Sequence, residues 1–480
     1  MDMKRYIAPL LIALLAVNAT AQTSLSLYHM EVIPQSSLLN PARAPRCNVF
    51  VGMPSTNISL RGETNMKMSE MFQKVNGQWK FMTESDFDYS DINRRIKKGI
   101  HANAQMNIGL INVGWRQAEN YWTVNWNARA SSGITMPKAF LTMLDKGLPD
   151  GSHLDFSRLK VNFISYHELS VGYTRAIDEQ LSVGGRLKYL SGVFAAKTKF
   201  SKFELTTSRE QWTFDVDGEA DLAFPLKMTP DQSGAIATDS IEWKEMTAAE
   251  IVGRTLIGFH NPGAAIDLGA EYKIDENFKV SASVTDLGFI VWSKDASKLH
   301  AENKYEYNGF EVEFNDFFDG INLSDKFGDV VDSVKNAFSS HTSDKNFVTG
   351  VHPNIYVGGE FTPYRFMSVG LVSRTTFWGK GVTQNFNLTL NMKPYSFVSV
   401  MSGYSIDLKG CLTTDFGFSI NMGPLQYYLM LDGIPLAYRH LNLEGDRFMV
   451  PYNLCDLSVN TGFNIIIGAK GPKPNHNSKY

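Results

Sequence analysis

The stretch that decides the fold reads NFNLTLNMK, from Asn385 to Lys393. Its odd-numbered positions are polar, and its even-numbered positions carry phenylalanine, leucine, leucine and methionine. Alternation with a period of two puts apolar side chains on one face of a β-strand and polar ones on the other. Soluble sandwiches alternate in the same way, so the number of such runs must separate a membrane barrel from a soluble protein.

Fourteen segments of the chain read as strands of this kind. The number is even, as in bacterial outer-membrane barrels, and after residue 22 no run of about 18 apolar residues provides a transmembrane helix. The chain is therefore predicted to be all-β, a closed antiparallel transmembrane β-barrel of about 14 strands. The segments lie near 49–60, 102–115, 121–134, 166–176, 181–194, 263–274, 278–291, 354–363, 366–378, 382–393, 396–408, 412–422, 425–433 and 456–468.

The connectors between these segments sort into two classes. Short turns alternate with connectors that include every long loop, although those near Gly379 and Lys409 are short as well. This sorting is typical of outer-membrane barrels, with both termini on the periplasmic side and the long loops outside. We expect short helices in the extracellular loops, at 137–146 and 327–338. The long loops are 62–100, 135–163, 195–262, 293–353 and 434–455.

The first 21 residues have the order of an export signal. Lys4 and Arg5 precede an apolar core from Ile7 to Val17, which is too short to span a bilayer. Ala19-Thr20-Ala21 matches an A-x-A cleavage site and would leave Gln22 as the mature N-terminus. A buried N-terminal helix is the alternative, which this order disfavours. The sequence thus predicts a signal peptide at 1–21 and export to the bacterial outer membrane.

Aromatic side chains cluster near the predicted strand ends. Such belts are expected where a ring and its polar tip prefer different solvents, although strand ends are often aromatic in soluble proteins too. The belt residues beside the short turns are Trp115, Tyr121, Trp122, Tyr364, Phe366, Tyr395 and Tyr427, and those at the other end are Trp292 and Trp378.

Composition and motifs point away from catalysis and from nucleic acid. The formal net charge is only -3, so no strong field favours a nucleic-acid partner. His167-Glu168 begins like a zinc-protease helix but lies in a predicted strand, and the acidic run Asp215–Glu219 lacks calcium-loop spacing. We therefore predict no enzyme activity, no cofactor and no metal site.

Charged residues in the polar register of the strands are the candidate ligand-binding residues. Their side chains are expected to project into the lumen, where lysine or arginine could bind an anionic head group such as a carboxylate. The alternative, which we favour, is that these charged side chains form salt bridges with one another inside the lumen. These residues are Arg129, Arg186, Lys188, Asp267, Glu271, Lys273, Lys279 and Lys393.

Three cysteines exclude a complete disulfide framework. Cys411 and Cys455 both fall near the extracellular rim, where the compartment is oxidising and a disulfide could form. Their predicted strands are not adjacent, which disfavours the pair, and Cys47 lies at the opposite end of the barrel.

Several segments resemble a known group of proteins. The tripeptide at 40–42 is similar to the start of the long-chain fatty-acid transporter (FadL-like) superfamily, and the whole set resembles a Bacteroidetes-type outer-membrane barrel family of unknown function. The resemblance covers essentially all of the mature chain and implies nothing about the substrate. The segments are Asn40-Pro41-Ala42, Gly185–Gly192, Asp267–Tyr272, Thr285–Gly288 and Gly462-Phe463-Asn464.

The predicted organisation is a signal peptide at 1–21, an N-terminal periplasmic or plug segment at 22–46, a barrel at 47–468 and a flexible periplasmic tail at 469–480. The expected function is passive transport of a small hydrophobic or amphipathic molecule, with the lipid bilayer and that ligand as partners. The alternative is a non-conducting barrel that binds an envelope or secretion-system protein, as implied by PorV-type cousins. A soluble secreted β-protein is the third hypothesis.

Overall fold

The computed structural model describes residues 24–82, 87–224, 226–228, 235–236, 241–243, 247, 260–307, 340–343, 346–378, 381–408, 410–436, 438–443, 446–451 and 454–468. The predicted signal peptide at 1–21, the tail at 469–480 and the helix at 327–338 lie outside these residues.

Fourteen antiparallel strands form one closed barrel, as predicted. Each strand pairs with its neighbours in the chain, and the last strand closes the ring: Val459 pairs with Leu431 on one side and with Leu60, in the first strand, on the other. The strands are β1 (Val49–Gly52 and Asn57–Thr64), β2 (Ile100–Gln117), β3 (Asn120–Met136), β4 (Lys160–Ala176), β5 (Leu181–Thr207), β6 (Pro262–Lys273), β7 (Phe278–Trp292), β8 (Phe347–Gly350 and Asn354–Tyr364), β9 (Met367–Trp378), β10 (Gly381–Tyr395), β11 (Val398–Asp407), β12 (Leu412–Met422), β13 (Leu425–Pro435) and β14 (Asp456–Ile467).

Alternation along the strands separates the two faces of the wall. Leu187 is 68 % exposed on the outside, whereas its neighbour Arg186 is 2 % exposed inside. The same contrast holds in β10, where Leu388 is exposed and Asn387 is buried. Closing the sheet leaves no unpaired edge, as a hydrocarbon environment requires.

The turns at one end of the barrel are short. We call this the short-turn end and the other the long-loop end. In the turn between β4 and β5, Asp178 accepts hydrogen bonds from the backbone N–H groups of Gln180 (2.7 Å) and Leu181 (2.6 Å). These donors favour the carboxylate and hold the pKa of Asp178 below its usual value. Asp275 closes the turn between β6 and β7 in the same way.

The long loops fold into a cap with its own apolar core. Helices α1 (Ser90–Arg95) and α2 (Lys138–Lys146) pack there with buried side chains such as Met82 and Leu141. Two hairpins also belong to these loops, formed by Phe72–Val75 with Gln78–Phe81 and by Tyr438–Leu443 with Asp446–Pro451. In the described part of the chain, no helix has the length and apolarity needed to cross a bilayer.

The main sheet continues beyond the barrel at the long-loop end. β5 is 27 residues long, and its second half pairs with Trp212–Ala223, which in turn pairs with Ala296–Tyr307. The polar composition of residues 200–224 predicts a hairpin outside the main sheet. That prediction is wrong, because these strands belong to the same sheet as the wall, with a register shift at Asp217–Gly218.

A disulfide joins Cys411 and Cys455, whose Cα atoms are 6.4 Å apart. The expectation that they stay unpaired is therefore wrong. Each cysteine precedes its strand instead of lying within it, so β13, which separates β12 from β14, does not keep them apart.

Two residues assigned to the aromatic belts face inward instead. Tyr121 and Trp292 are both 0 % exposed. Trp292 donates a hydrogen bond from Nε1 to Oγ1 of Thr349 (2.8 Å), and the hydroxyl of Tyr121 lies 3.4 Å from Sγ of Cys47. Trp115, Tyr364 and the other exposed aromatics remain on the outer surface.

Candidate functional site: the occupied lumen

Residues 24–46, here named the plug segment, lie inside the barrel. Asp432 on β13 accepts a hydrogen bond from the backbone N–H of Ser26 (3.2 Å), and Thr174 on β4 donates one to the carbonyl oxygen of Pro41 (2.5 Å). Gln35 donates to Asn464 on β14 (2.7 Å). Because these strands stand on different sides of the ring, the plug segment crosses the lumen. It contains two short 3₁₀ helices, Leu25–His29 and Pro34–Leu38.

Tyr28 is fully buried and contacts both the second half of the plug segment and the wall. Its hydroxyl lies 2.9 Å from Oγ of Ser281 on β7 and accepts a hydrogen bond from Nδ2 of Asn40 (3.1 Å). Its ring stacks on Tyr356 of β8, with 5.7 Å between ring centroids, and the guanidinium of Arg43 lies 4.3 Å from its centroid. One side chain therefore fixes the two halves of the segment to the wall.

Asn40-Pro41-Ala42 touches the wall where the wall has no side chains. The carbonyl oxygen of Pro41 would lie 2.0 Å from a Cβ placed on Gly184 of β5. Oδ1 of Asn40, which accepts a hydrogen bond from the backbone N–H of Ala42 (3.0 Å), would lie 2.2 Å from a Cβ on Gly269 of β6. Glycine is needed at both wall positions because any larger residue would overlap the plug segment.

Ion pairs fasten the plug segment at the short-turn end. Glu360 on β8 lies 3.0 Å from Nζ of Lys279 and 3.4 Å from Nδ1 of His29. Glu271 on β6 pairs with Arg43 at 2.8 Å. Burial penalises the charged imidazole and holds the pKa of His29 below its usual value, although the hydrogen bond to Glu360 opposes this.

A second ionic network spans the middle of the lumen. It contains three cations and three anions, so its formal charges cancel. Every member is at least four-fifths buried, and such groups are tolerated in an interior only when paired. The members are Arg129 on β3, Glu168 on β4, Arg186 and Lys188 on β5, Asp267 on β6 and Asp286 on β7.

The contacts of this network are short. Arg129 lies 2.6 Å from Glu168 and 2.7 Å from Asp286, and Lys188 lies 2.7 Å from Asp286. Asp267 receives both Arg186 and Lys188 at 2.9 Å. Arg186 also donates a hydrogen bond to the carbonyl oxygen of Ser37 (2.9 Å), which links the network to the plug segment.

Asp286 reaches the network through a β-bulge. Its φ of 61° lies in the left-handed region, which is uncommon for a residue other than glycine, and its backbone N–H donates to Asp267 (2.7 Å). The extra residue puts both Thr285 and Asp286 inside and returns Leu287 to the outer face. The regular strand pairing of the wall is therefore interrupted by a bulge at the central ionic network.

The eight predicted lumen charges fall into three groups. Arg129, Arg186, Lys188 and Asp267 belong to the central network, and Glu271 and Lys279 bind groups that hold the plug segment. Lys273 is exposed at the end of β6, and Lys393 is half-buried beside a cavity at the short-turn end. Six of the eight are thus committed to ion pairs in this structure.

Glu168, Asp286, Arg43 and Glu360 were not among the candidates. Glu168 has a clear signal in the sequence, since it shares the polar register opposite Leu169. Asp286 has a subtler one, because an acid in the apolar register of a strand indicates a bulge. Glu360 has the same signal as Glu168, since it shares the inward register of Tyr356 and is followed by the outward Phe361. Arg43 has no such signal. In the described part of the chain, no group of three or more His, Cys, Asp or Glu side chains is arranged to hold a metal ion.

Comparison with known proteins gives a family and a set of structural neighbours. The model of a family of unknown function (DUF5723) matches residues 41–432. No protein with a curated description matches the chain.

Three solved structures illustrate the neighbours. The Ralstonia pickettii toluene transporter TbuX is 8 % identical, with a TM-score of 0.43, over 91 % of this chain and 94 % of its own. A Pseudomonas aeruginosa FadL homologue is 7 % identical, with a TM-score of 0.42, over 94 % of this chain and 100 % of its own. The P. putida toluene transporter TodX is 8 % identical, with a TM-score of 0.37, over 90 % and 92 %. Likeness at this level does not bear on what the chain binds.

Proposed function

We propose that this chain, which belongs to the family of unknown function DUF5723, is a gated outer-membrane passage for a small hydrophobic or amphipathic molecule. The observation that carries the proposal is the occupation of a closed lumen by a chain segment, residues 24–46. We propose further that residues 1–21 are a cleaved signal peptide that directs export to the bacterial outer membrane, and that 469–480 is a periplasmic tail.

The way the lumen is filled supports a gate. A barrel of about eight strands is filled by its own side chains, whereas wider barrels leave room for a channel or a plug. Here the inner wall carries glycines such as Gly184 and Gly269 where the plug segment approaches, so part of the lumen is left for the segment to occupy.

The contacts of the plug segment with the wall support its release. Many of them are hydrogen bonds and ion pairs, such as those of Ser26 with Asp432 and of Arg43 with Glu271. When a polar contact is replaced by water, the net loss is only about 1 kcal/mol per hydrogen bond. The segment also packs apolar side chains such as Leu27 and Ile33 against the wall, which adds to the cost of release, but its movement leaves the hydrogen bonds of the wall intact.

A flux experiment tests the proposal. The full-length protein and a variant lacking residues 24–44 are placed in planar bilayers, and in liposomes that contain the hydrophobic dye 1-N-phenylnaphthylamine on one side. We expect a small ionic conductance from the intact protein, a large one from the deletion variant, and dye transfer by the intact protein above that of empty liposomes. Absence of both conductance and dye transfer, in both proteins, contradicts a passage.

The folded cap favours a second candidate, a non-conducting barrel that binds an envelope or secretion-system protein. The cap has its own core, and the sheet extension formed by β5, Trp212–Ala223 and Ala296–Tyr307 projects beyond the wall. Photo-crosslinking from residues of this extension on whole cells tests the candidate. A discrete crosslinked protein supports it, and uniformly empty lanes count against it.

A further inference from the structure

A cavity of about 80 Å³ lies at the short-turn end, between the plug segment and the wall. Met30, Val32 and Arg46 line it on the plug side. On the wall side it is bounded by the ends of four consecutive strands, β8 to β11, where Met367 and Lys393 face it. A space of this size holds more than one water molecule or a small polar group. Glu360 and His29, which hold the plug segment, also line it, but no role is assigned above to Arg365 or Lys393.

Positive charge dominates this cavity. Arg46, Arg365 and Lys393 line it together with two acids, Glu31 and Glu360. Three positive charges against two negative ones leave an excess of one, before any neighbouring cation is counted.

Both acids already have partners. Glu31 pairs with Arg46 at 2.5 Å and with Lys279, and Glu360 pairs with Lys279 at 3.0 Å. Lys279 therefore adds a fourth cation behind the cavity. Lys393 lines the cavity together with Arg46, a group of the same sign, and in the described part of the chain it forms no ion pair. The counter-charge of Arg46 is Glu31, so Lys393 has none of its own, and a cation in this position favours an anion.

The surroundings indicate which anion. Two stacked aromatic pairs, Tyr364 with Phe366 and Tyr395 with Phe397, lie at the same end of the barrel, and all four rings are exposed. Exposed aromatic rings at strand ends mark the depth of the lipid head groups. Phe366 belongs both to this belt and to the lining of the cavity. The cavity thus opens at the level where phosphate groups are concentrated.

We propose that this cavity binds a phosphate head group that carries a short apolar extension. Lys393, Arg365 and Arg46 supply the cations, and the thioether side chains of Met30 and Met367 contact the first carbon atoms of the extension. The site is independent of whether the lumen conducts. Its ligand is either a phospholipid of the adjacent leaflet or a soluble phosphate.

Calorimetric titration of the full-length protein in an uncharged maltoside detergent tests the site. Three probes are used: dihexanoyl phosphatidylglycerol, inorganic phosphate, and dihexanoylglycerol, which lacks the phosphate. We expect saturable binding of a phosphate probe and none of dihexanoylglycerol. Tighter binding of dihexanoyl phosphatidylglycerol identifies a lipid ligand and supports the contacts with its apolar extension. Equal binding of inorganic phosphate identifies the free anion and contradicts those contacts.

Two variants and one control complete the test. Lys393→Gln is expected to weaken phosphate binding about tenfold, the effect of losing one charge-assisted hydrogen bond. Arg365→Gln, in an exposed turn that tolerates substitution, is expected to weaken it in the same direction. Lys273→Gln, an exposed lysine at the same end that does not line the cavity, should leave it unchanged. Absence of saturable binding, equal binding of dihexanoylglycerol, or equal losses from Lys393→Gln and Lys273→Gln would overturn the proposal.

Discussion

Substitution of Gly184 by alanine should displace the plug segment from its position against β5. The new Cβ would stand 2.0 Å from the carbonyl oxygen of Pro41 and 2.7 Å from the backbone nitrogen of Ala42. These are backbone atoms, so no side-chain rotation relieves the overlap. The segment must retreat by more than 1 Å to reach an ordinary contact distance, on the order of 3.5 Å.

The retreat has a calculable cost. Overpacking of this kind costs about 1–3 kcal/mol. Movement of Pro41 also breaks its hydrogen bond from Thr174, which is worth about 1 kcal/mol. The sum, about 3 kcal/mol, corresponds to roughly a hundredfold rise in the ratio of unseated to seated plug segment.

Single-channel recording in planar bilayers measures this ratio as the fraction of time spent open. Gly185→Ala is the matched control, because it changes the next residue and its Cβ would meet nothing closer than 3.7 Å. We expect frequent openings for Gly184→Ala and the wild-type pattern for Gly185→Ala. Identical recordings from the two variants, with both barrels folded, would refute the steric argument.

Four further predictions follow from the same contacts. Asp286→Asn leaves Lys188 with less counter-charge and should lower the free energy of unfolding in vesicles by about 3 kcal/mol, and an unchanged urea midpoint would contradict this. His29 is held neutral by burial, so the unfolded chain binds more protons below pH 6.5 and stability should decrease as the pH falls from there; His29→Gln should flatten that part of the pH profile. Replacing Cys411 and Cys455 by serine should cost about 3 kcal/mol, and reductant should lower the melting temperature of the wild type but not of the variant. Finally, mass spectrometry of the purified protein should find a chain that begins at Gln22, and an intact Met1 would exclude cleavage.

The strands could be predicted from the sequence because the outer face of the wall is largely apolar. The alternation seen around Leu388 therefore recurs from strand to strand, and the predicted barrel of about 14 strands is confirmed. The predicted family of unknown function is confirmed as well. The strand order did not have to be worked out separately, because strands that pair in the barrel are also consecutive in the chain.

The inner face follows no such rule, so its details could not be predicted. Arg129 and Lys188 could be assigned to the lumen by register, but their partner Asp286 arrives through a bulge that reverses the register. Tyr121 and Trp292 are predicted in the aromatic belts but face inward, because a position near a strand end does not determine which face a side chain occupies. The binding roles proposed for the lumen charges remain predictions.

The plug segment could be expected from the resemblance carried by Asn40-Pro41-Ala42, but its contacts could not be predicted. It has no periodicity, and its partners are far away in the chain: Asp432 is 406 residues from Ser26, and Thr174 is 133 residues from Pro41. The pairing of Cys411 with Cys455 was missed because it depends on where two loops end and not on the order of the strands. These failures all concern relations between distant parts of the chain.

The position of residues 24–46 also has a consequence for biogenesis. This segment precedes β1, and the seam between β14 and β1 can form only after the whole chain has been synthesised. Residues 24–46 are therefore synthesised before the strands that enclose them, and they reach their final position only when the wall is complete. Closure of that seam then encloses the segment, so placement of the plug segment and closure of the barrel are coupled during insertion of this protein.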